Sequence, residues 1–255
     1  RASDAVLLAP PLQHLRATLA GLPGGDGPLV ICAKGIERET LRLPLEIAQE
    51  THPGRPAAYL TGPTFAHEIA AGLPAAAVLA AVEPDLRARL IPLVATRTFR
   101  VYGNDDPLGA QVGGAAKNVI AIAAGAVIGA GLGENARAGL ITRGLAELSR
   151  IALALGGRAE TVMGLSGLGD LLLTCTGTAS RNFSLGLALG RGESLAEAQA
   201  TRRGVVEGVA TAPALVARAA GLDAPICRTV AVLLAGETTL EQAIADLLAR
   251  PRRDE

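Results

Sequence analysis

Aromatic residues are nearly missing from this sequence: two tyrosines, three phenylalanines and no tryptophan among 255 residues. Base-stacking platforms for single-stranded nucleic acid are therefore not on offer. Positive charge is not in excess either, since 24 basic and 24 acidic residues cancel. Without a phosphate-neutralising surface, nucleic acid is not the expected partner. Cysteine is scarce and odd in number, and Cys32, Cys175 and Cys227 lie far apart. That usage suits reduced thiols in a cytoplasmic protein better than a disulfide framework. The uncharged run from Val119 to Gly133 is shorter than the roughly 20 residues of a membrane span and is rich in Gly and Ala, so a buried helix is expected there. The chain opens at Arg1 with no initiator Met and no signal-peptide pattern, so an upstream segment that has been removed or cleaved is expected.

The most informative shortage is lysine. Of the 24 basic residues, 22 are Arg and two, Lys34 and Lys117, are Lys. Genome base composition can produce such a bias, and it leaves the survivors marking positions where Arg cannot serve. Guanidinium keeps its proton in proteins, whereas a desolvated amine can release and accept one near neutral pH. Asn is almost as rare, and two of the four, Asn118 and Asn182, sit directly beside a basic residue.

What is present is apolar mass: 49% of residues are hydrophobic, enough for a real core. From Ala5 to about Tyr102 short apolar runs alternate with turns and amphipathic segments. The runs 5–9, 29–33, 57–60, 76–82 and 99–102 read as strands, and 12–22 and 37–50 as helices. The rhythm predicts a doubly wound parallel sheet with crossovers. After Asp106 the strand signal ends and Ala/Leu/Gly-rich helical segments continue to the C-terminus. An α/β domain over residues 1–105 followed by an all-helical domain over 106–255 is expected, with a ligand cleft between them.

A dinucleotide-binding sheet begins with a strand, a G-x-G-x-x-G turn and a helix N-terminus. Here the first strand is followed by Pro10-Pro11-Leu12-Gln13, which cannot make that turn. Gly129-Ala130-Gly131-Leu132-Gly133 and Gly167-Leu168-Gly169 have neither the spacing nor the strand-before-helix context; helix breaks or close-packing sites explain them. Either the fingerprint lies upstream or the protein binds no dinucleotide.

Four segments carry candidate chemistry. Lys117 stands in Gly113 to Gly125, an otherwise almost wholly apolar helix, where desolvation would lower its pKa toward that of a general base; the bland alternative is a surface lysine at a helix start. Asp170, in Leu165 to Thr176, needs a partner if buried, and can bond the Lys117 amine, bond a substrate hydroxyl, or cap a helix. Ser180-Arg181-Asn182 opens a helix, with Ser180 as N-cap, and helix-start amides plus a guanidinium suit a phosphate. Lys34-Gly35 and Thr61-Gly62-Pro63-Thr64-Phe65-Ala66 follow the second and third strands, where the ligand crevice of such sheets lies. His14, His52 and His67 lack metal-ligand spacing, and Cys175 reads as a small packing residue.

Taken in order, Lys34-Gly35, Gly62-Pro63-Thr64-Phe65-Ala66, Lys117-Asn118-Val119-Ile120-Ala121, Asn135-Ala136-Arg137, Ile141 to Glu147, Gly167-Leu168-Gly169-Asp170, Thr174-Cys175-Thr176, Ser180-Arg181-Asn182 and Val206-Glu207-Gly208 resemble the bacterial NAD(P)-dependent glycerol-3-phosphate dehydrogenases over nearly the whole chain. The resemblance implies a Rossmann-type α/β domain, its N-terminal part missing, followed by an all-α domain of the 6-phosphogluconate dehydrogenase C-terminal-like type. It further implies a homodimer, NAD or NADP as cofactor, and interconversion of sn-glycerol 3-phosphate and dihydroxyacetone phosphate for phospholipid synthesis. By the same resemblance Lys117 is the proton acceptor and a substrate contact. Lys34, Gly62, Thr64, Asp170, Ser180, Arg181 and Asn182 complete the substrate site, and Lys34, Ala66, Arg181, Val205 and Glu207 meet the cofactor. Pro10-Pro11, Ile128 and Phe183 depart from residues common in that family. The piece is expected to be inactive or weakly active without an upstream glycine loop. Two other readings stand beside this one: a β-hydroxyacid dehydrogenase, which wants an Asn four residues after the lysine where this chain has Ala121, and a non-catalytic binding or dimerisation module.

Overall fold

In a computed structural model of the chain, which describes residues 3–201 and 204–249, the first hundred residues form one five-stranded sheet in the order β1-β2-β3-β4-β5. The strands are β1 (Val6–Leu8), β2 (Leu29–Ile31), β3 (Ala57–Thr61), β4 (Ala75–Ala80) and β5 (Phe99–Asn104). The first three run parallel, β4 is antiparallel to β3, and β5 is parallel to β4. The strands fall where the apolar runs predict, but the sheet is mixed rather than all parallel. The reason is length. The connection from Gly62 to Pro74 holds only the five-residue helix α3 (Ala66–Ala70) and is shorter than any other link between the strands, at the lower limit of about a dozen residues for a parallel crossover.

The period of two sorts the strand residues onto two faces. Leu29, Ile31 and Tyr59 pack with Leu15, Leu19, Ile47 and Ala48, burying α1 (Leu15–Ala20) and α2 (Pro44–Thr51) on one face. Val30, Ala58 and Leu79 meet Leu90 of α4 (Pro84–Val94) on the other. The expected helix over 37–50 is shorter than its pattern. Residues 37–43 turn back on themselves, Leu41 N–H donating to Glu37 O and Glu37 N–H to Arg42 O, and the helix starts only at Pro44, whose ring suits a first helical position. Likewise residues 12–14 form a 3-10 turn ahead of α1.

Beyond the sheet the described chain is helical: α5 (Pro107–Gly129), α6 (Gly133–Ala154), α7 (Ala159–Met163), a π-helical turn over Leu165–Gly169, α8 (Asp170–Cys175), α9 (Arg181–Gly190), α10 (Leu195–Ala200), α11 (Glu207–Arg218), α12 (Pro225–Leu234) and α13 (Leu240–Leu248). Asp106 starts α5, its side chain accepting from Gly109 N–H at 2.8 Å and from Arg158 N–H at 2.8 Å. α5 is long and apolar enough to cross a bilayer, yet 17 of its 23 residues are buried among the other helices. Glycines set how close they come. A Cβ on Gly125 or Gly129 would run into the carbonyls of Phe183 and Leu187, and one on Gly186 or Gly190 into those of Ile122 and Ala126. The backbones of α5 and α9 therefore touch along their length, which sets Asn118 on α5 against Asn182 at the head of α9.

Candidate active site

Because β1, β2 and β3 are parallel, the turns after β2 and β3 emerge at the same edge of the sheet. Gly62 leaves β3 with φ +139, and a Cβ there would meet Ala77 Cα at 3.0 Å, so only glycine makes the turn. The carbonyl of Gly62 accepts from Lys34 Nζ at 3.3 Å and from Thr64 Oγ1 at 3.1 Å. One turn thereby steadies both Thr64 and Lys34, and Lys34 reaches on to the helical domain.

From that domain α5 brings Lys117, and the π-helical turn brings Asp170. Gly169, not Asp170, caps α8, so the helix-cap reading of this carboxylate fails and the lysine-partner reading holds. Asp170 Oδ1 accepts from Lys117 Nζ in a short hydrogen bond, and Oδ2 accepts from Lys34 Nζ at 2.6 Å. One carboxylate thus binds both lysines of the chain and ties the sheet to the helices. Asp170 is 1% exposed and Lys117 7%. Thr174 Oγ1 donates to the Asp170 carbonyl at 2.6 Å, steadying the first turn of α8.

Beside this cluster Ser180 Oγ accepts from Phe183 N–H at 3.2 Å, as a helix cap should. Asn182 Nδ2 donates to Asn118 Oδ1 at 2.9 Å, and Asn182 Oδ1 accepts from Gly208 N–H at 2.9 Å. The amide of Asn118 is left buried with an unpartnered Nδ2, next in sequence to Lys117. Arg181 is exposed at the rim, its guanidinium so close to Gly204 that a Cβ there would meet Nη1 at 2.7 Å. Glu207, first residue of α11, accepts from the Leu12 amide at 3.2 Å beyond the end of β1. Ala66 and Val205 are exposed and bonded to none of these groups; Val205 lines a cavity of about 300 Å³ with Pro11, Gln13 and Gly204.

The electrostatics follow the geometry. Burial lowers the Lys117 pKa, the Lys34 charge lowers it further, and Asp170 opposes both, leaving it at about 8. Burial alone would raise the Asp170 carboxyl, but the two ammonium groups outweigh it and hold it below the ordinary range. Burial pushes Glu207 up, and pushes the Cys175 thiol to about 12, so Cys175 stays a neutral packing group. Sequence reasoning assigned no role to Thr174 or Asn118. The signal for Asn118 was the adjacency of each scarce Asn to a basic residue; the signal for Thr174, four residues after Asp170, was only the helical repeat.

A sheet whose strand ends face a helical domain across a buried lysine–carboxylate cluster defines a two-domain dehydrogenase of the nicotinamide-dependent class. Comparison with known proteins narrows the class. Residues 1–87 match the family model described as NAD-dependent glycerol-3-phosphate dehydrogenase N-terminus, and residues 106–245 match the corresponding C-terminus. The chain is 62% identical over 251 residues to the glycerol-3-phosphate dehydrogenase [NAD(P)+] of Acidiphilium cryptum, covering 98% of this chain and 77% of that one. It is 54% identical over 254 residues to that of Sphingopyxis alaskensis, covering 99% and 77%. A crystal structure of glycerol-3-phosphate dehydrogenase from Coxiella burnetii superposes with a TM-score of 0.92 at 36% identity, over 97% of this chain and 77% of that one. The chain belongs to the NAD-dependent glycerol-3-phosphate dehydrogenase family.

The donor set fits one end of the family's dinucleotide. Arg181 reaches Gly204 and Glu207 follows Val206; Gly204 and Val206 line the cavity with Pro11 and Val205, and the charges of Lys34 and Arg181 act on Glu207, so charge and open volume lie together beyond the end of β1. The sequence given contains no glycine turn for the pyrophosphate, and the adenylate end finds no counterpart in these residues.

Proposed function

We propose that the chain interconverts sn-glycerol 3-phosphate and dihydroxyacetone phosphate, with Lys117 exchanging the proton on the secondary oxygen. The observation that carries this reading is the Lys117 amine, buried against Asp170 where Lys34 of the sheet meets the helices. With a pKa of about 8 the amine can take a proton from an alcohol in oxidation and return it to the forming alkoxide in reduction. Hydride exchange at the adjoining carbon is what a bound nicotinamide supplies. Lys34 and Thr64, set by the turn at Gly62, face the reacting oxygen. Asp170 orients both lysines. Ser180, Arg181 and Asn182 at the α9 N-terminus hold the phosphate, supplying the orientation a three-carbon substrate lacks. Lys34, Ala66, Arg181, Val205 and Glu207 hold NAD or NADP. A division at 105/106, a homodimer, a cytoplasmic location and a supply of glycerol 3-phosphate to phospholipid synthesis complete the reading.

The test is oxidation of NADH and NADPH by the complete gene product with dihydroxyacetone phosphate, against ketopantoate and tartronate semialdehyde. Turnover with dihydroxyacetone phosphate alone is expected. Preference for either other carbonyl substrate would overturn the assignment.

A further inference from the structure

We propose that Lys34 is a positioning residue for proton transfer: its ammonium, sharing the Asp170 carboxylate with Lys117, drives the Lys117 amine to its neutral, proton-accepting form. This rests on the reading of Lys117 as the base. The geometry is a three-charge site with one anion. Asp170 offers one oxygen to each lysine and is almost wholly buried. With both amines protonated the site carries a surplus positive charge in a poorly solvated place; releasing one proton removes it.

Lys117 is the amine that yields. Its side chain is 9% exposed against 15% for Lys34, so its charge is the more poorly hydrated. Lys34 also keeps a second acceptor, the Gly62 carbonyl at 3.3 Å, whereas Asp170 is the acceptor Lys117 has among the described residues. The other titratable and charged groups near the cluster do not reverse this. Cys175 on α8 and Tyr59 on β3 are both raised by burial and neutral at working pH. Arg137 on α6 and Arg181 on α9 add positive charge near Cys175 and Glu207 respectively. Glu207 on α11, whose ionisation burial disfavours, spends its contact on the Leu12 amide. A neighbouring cation is a general way to activate an amine, and here the shared carboxylate holds the two amines together so that repulsion acts at short range.

The chain's two lysines make the test direct. With lysine labelled by 13C at Cε, the side-chain signals of Lys34 and Lys117 are identified by their loss in Lys34→Met and Lys117→Met. In the wild-type chain Lys117 should titrate near the value of about 8. In Lys34→Met it should rise by about one unit or more, the size expected on removing a close like charge. Lys34→Arg, which restores a permanent cation, should bring it back down, an outcome that a purely structural role for Lys34 would not produce. Lys34→Gln provides a second uncharged variant. A Lys117 midpoint that stays put or falls when Lys34 loses its charge overturns the proposal, as does finding Lys34 to be the amine that titrates low. The NMR reading needs no cofactor or turnover, so failure of the dihydroxyacetone phosphate assay would reject the function while leaving this result standing.

Discussion

At the scale of single residues, the choice of lysine over arginine is the chemical point. Lys117 can be neutral because an amine in a buried site gives up its proton, and a guanidinium at the same place could not. Lys117→Arg should therefore cut turnover by about 10²- to 10⁴-fold, the usual contribution of a positioned general base, while the circular dichroism of the helices is unchanged. Near-normal turnover would remove Lys117 from the mechanism. The direction of the pH dependence also follows. Oxidation needs the neutral amine, so its rate should fall as pH drops below about 8; reduction needs the ammonium, so its rate should fall as pH rises past the same value. Rate profiles of the two directions should cross there, and parallel profiles would show that another group titrates. The lysine shortage made this residue legible in the sequence. That Lys34 and Lys117 share one carboxylate was not legible, because they lie 83 residues apart and only the fold brings Asp170 between them.

At the scale of elements, helix contact is set by glycine more than by large side chains. Reading Gly186 and Gly190 by sequence alone yields at most punctuation in an Ala/Leu-rich helix. In the structure they form the face of α9 that presses on α5, where Gly125 and Gly129 answer them. The period of these small residues matches a helix as readily when they face solvent as when they face a neighbour, so their role depends on a partner that local pattern does not name. A side chain at Gly186 has nowhere to go: its Cβ would overlap the Ile122 carbonyl, and backbone cannot step aside as a side-chain tip can. Gly186→Val should destabilise the protein by about 3 kcal/mol, at the upper end of overpacking costs. Because the same contact sets Asn182 on Asn118, the substrate KM should rise in whatever fraction stays folded. The substitution Ser184→Ala, on a half-buried neighbour, serves as the comparison in urea denaturation. Equal stability of Gly186→Val and wild type would show that α5 and α9 are not in backbone contact.

At the scale of the whole molecule, the question is what keeps the sheet and the helices in register around the cleft. The strands and the helical second half were legible from apolar periodicity, and Asp106 closes the sheet part where the strand pattern stops. What pattern could not show is that residues 36–43, in the α/β part by position, belong partly to the helical part by packing. Ile36 and Leu43 are buried in the core built mainly by α5, α6 and α11. The expected helix gives way there because Leu41 takes φ +59, a left-handed conformation that costs a branched residue about 1–3 kcal/mol and persists only when surroundings enforce it. The enforcing group is Arg218 at the end of α11, which donates to the Leu41 carbonyl at 2.7 Å and to Glu46 Oε1 at 2.6 Å. Glu46 in turn accepts from the Leu43 amide at 2.7 Å, starting α2. One guanidinium therefore links α11, the turn and α2. Removing it leaves a strained turn without its anchor, a half-buried carboxylate without its partner, and α11, which carries Glu207, free to shift against β1. Arg218→Ala should lower stability by about 1–3 kcal/mol, the range for losing charged hydrogen bonds. It should also expose the turn to trypsin at Arg38 and Arg42, both already on the surface. Arg218→Lys can keep one of the two bonds but not the fork, so its cleavage rate should fall between the two. If Arg218→Ala is cleaved at the wild-type rate, the turn is held by the burial of Ile36 and Leu43 and by the bonds of Gln13 to Ile36 and Arg38 and of Arg16 to Glu37, and this arginine is not what joins the two halves of the molecule.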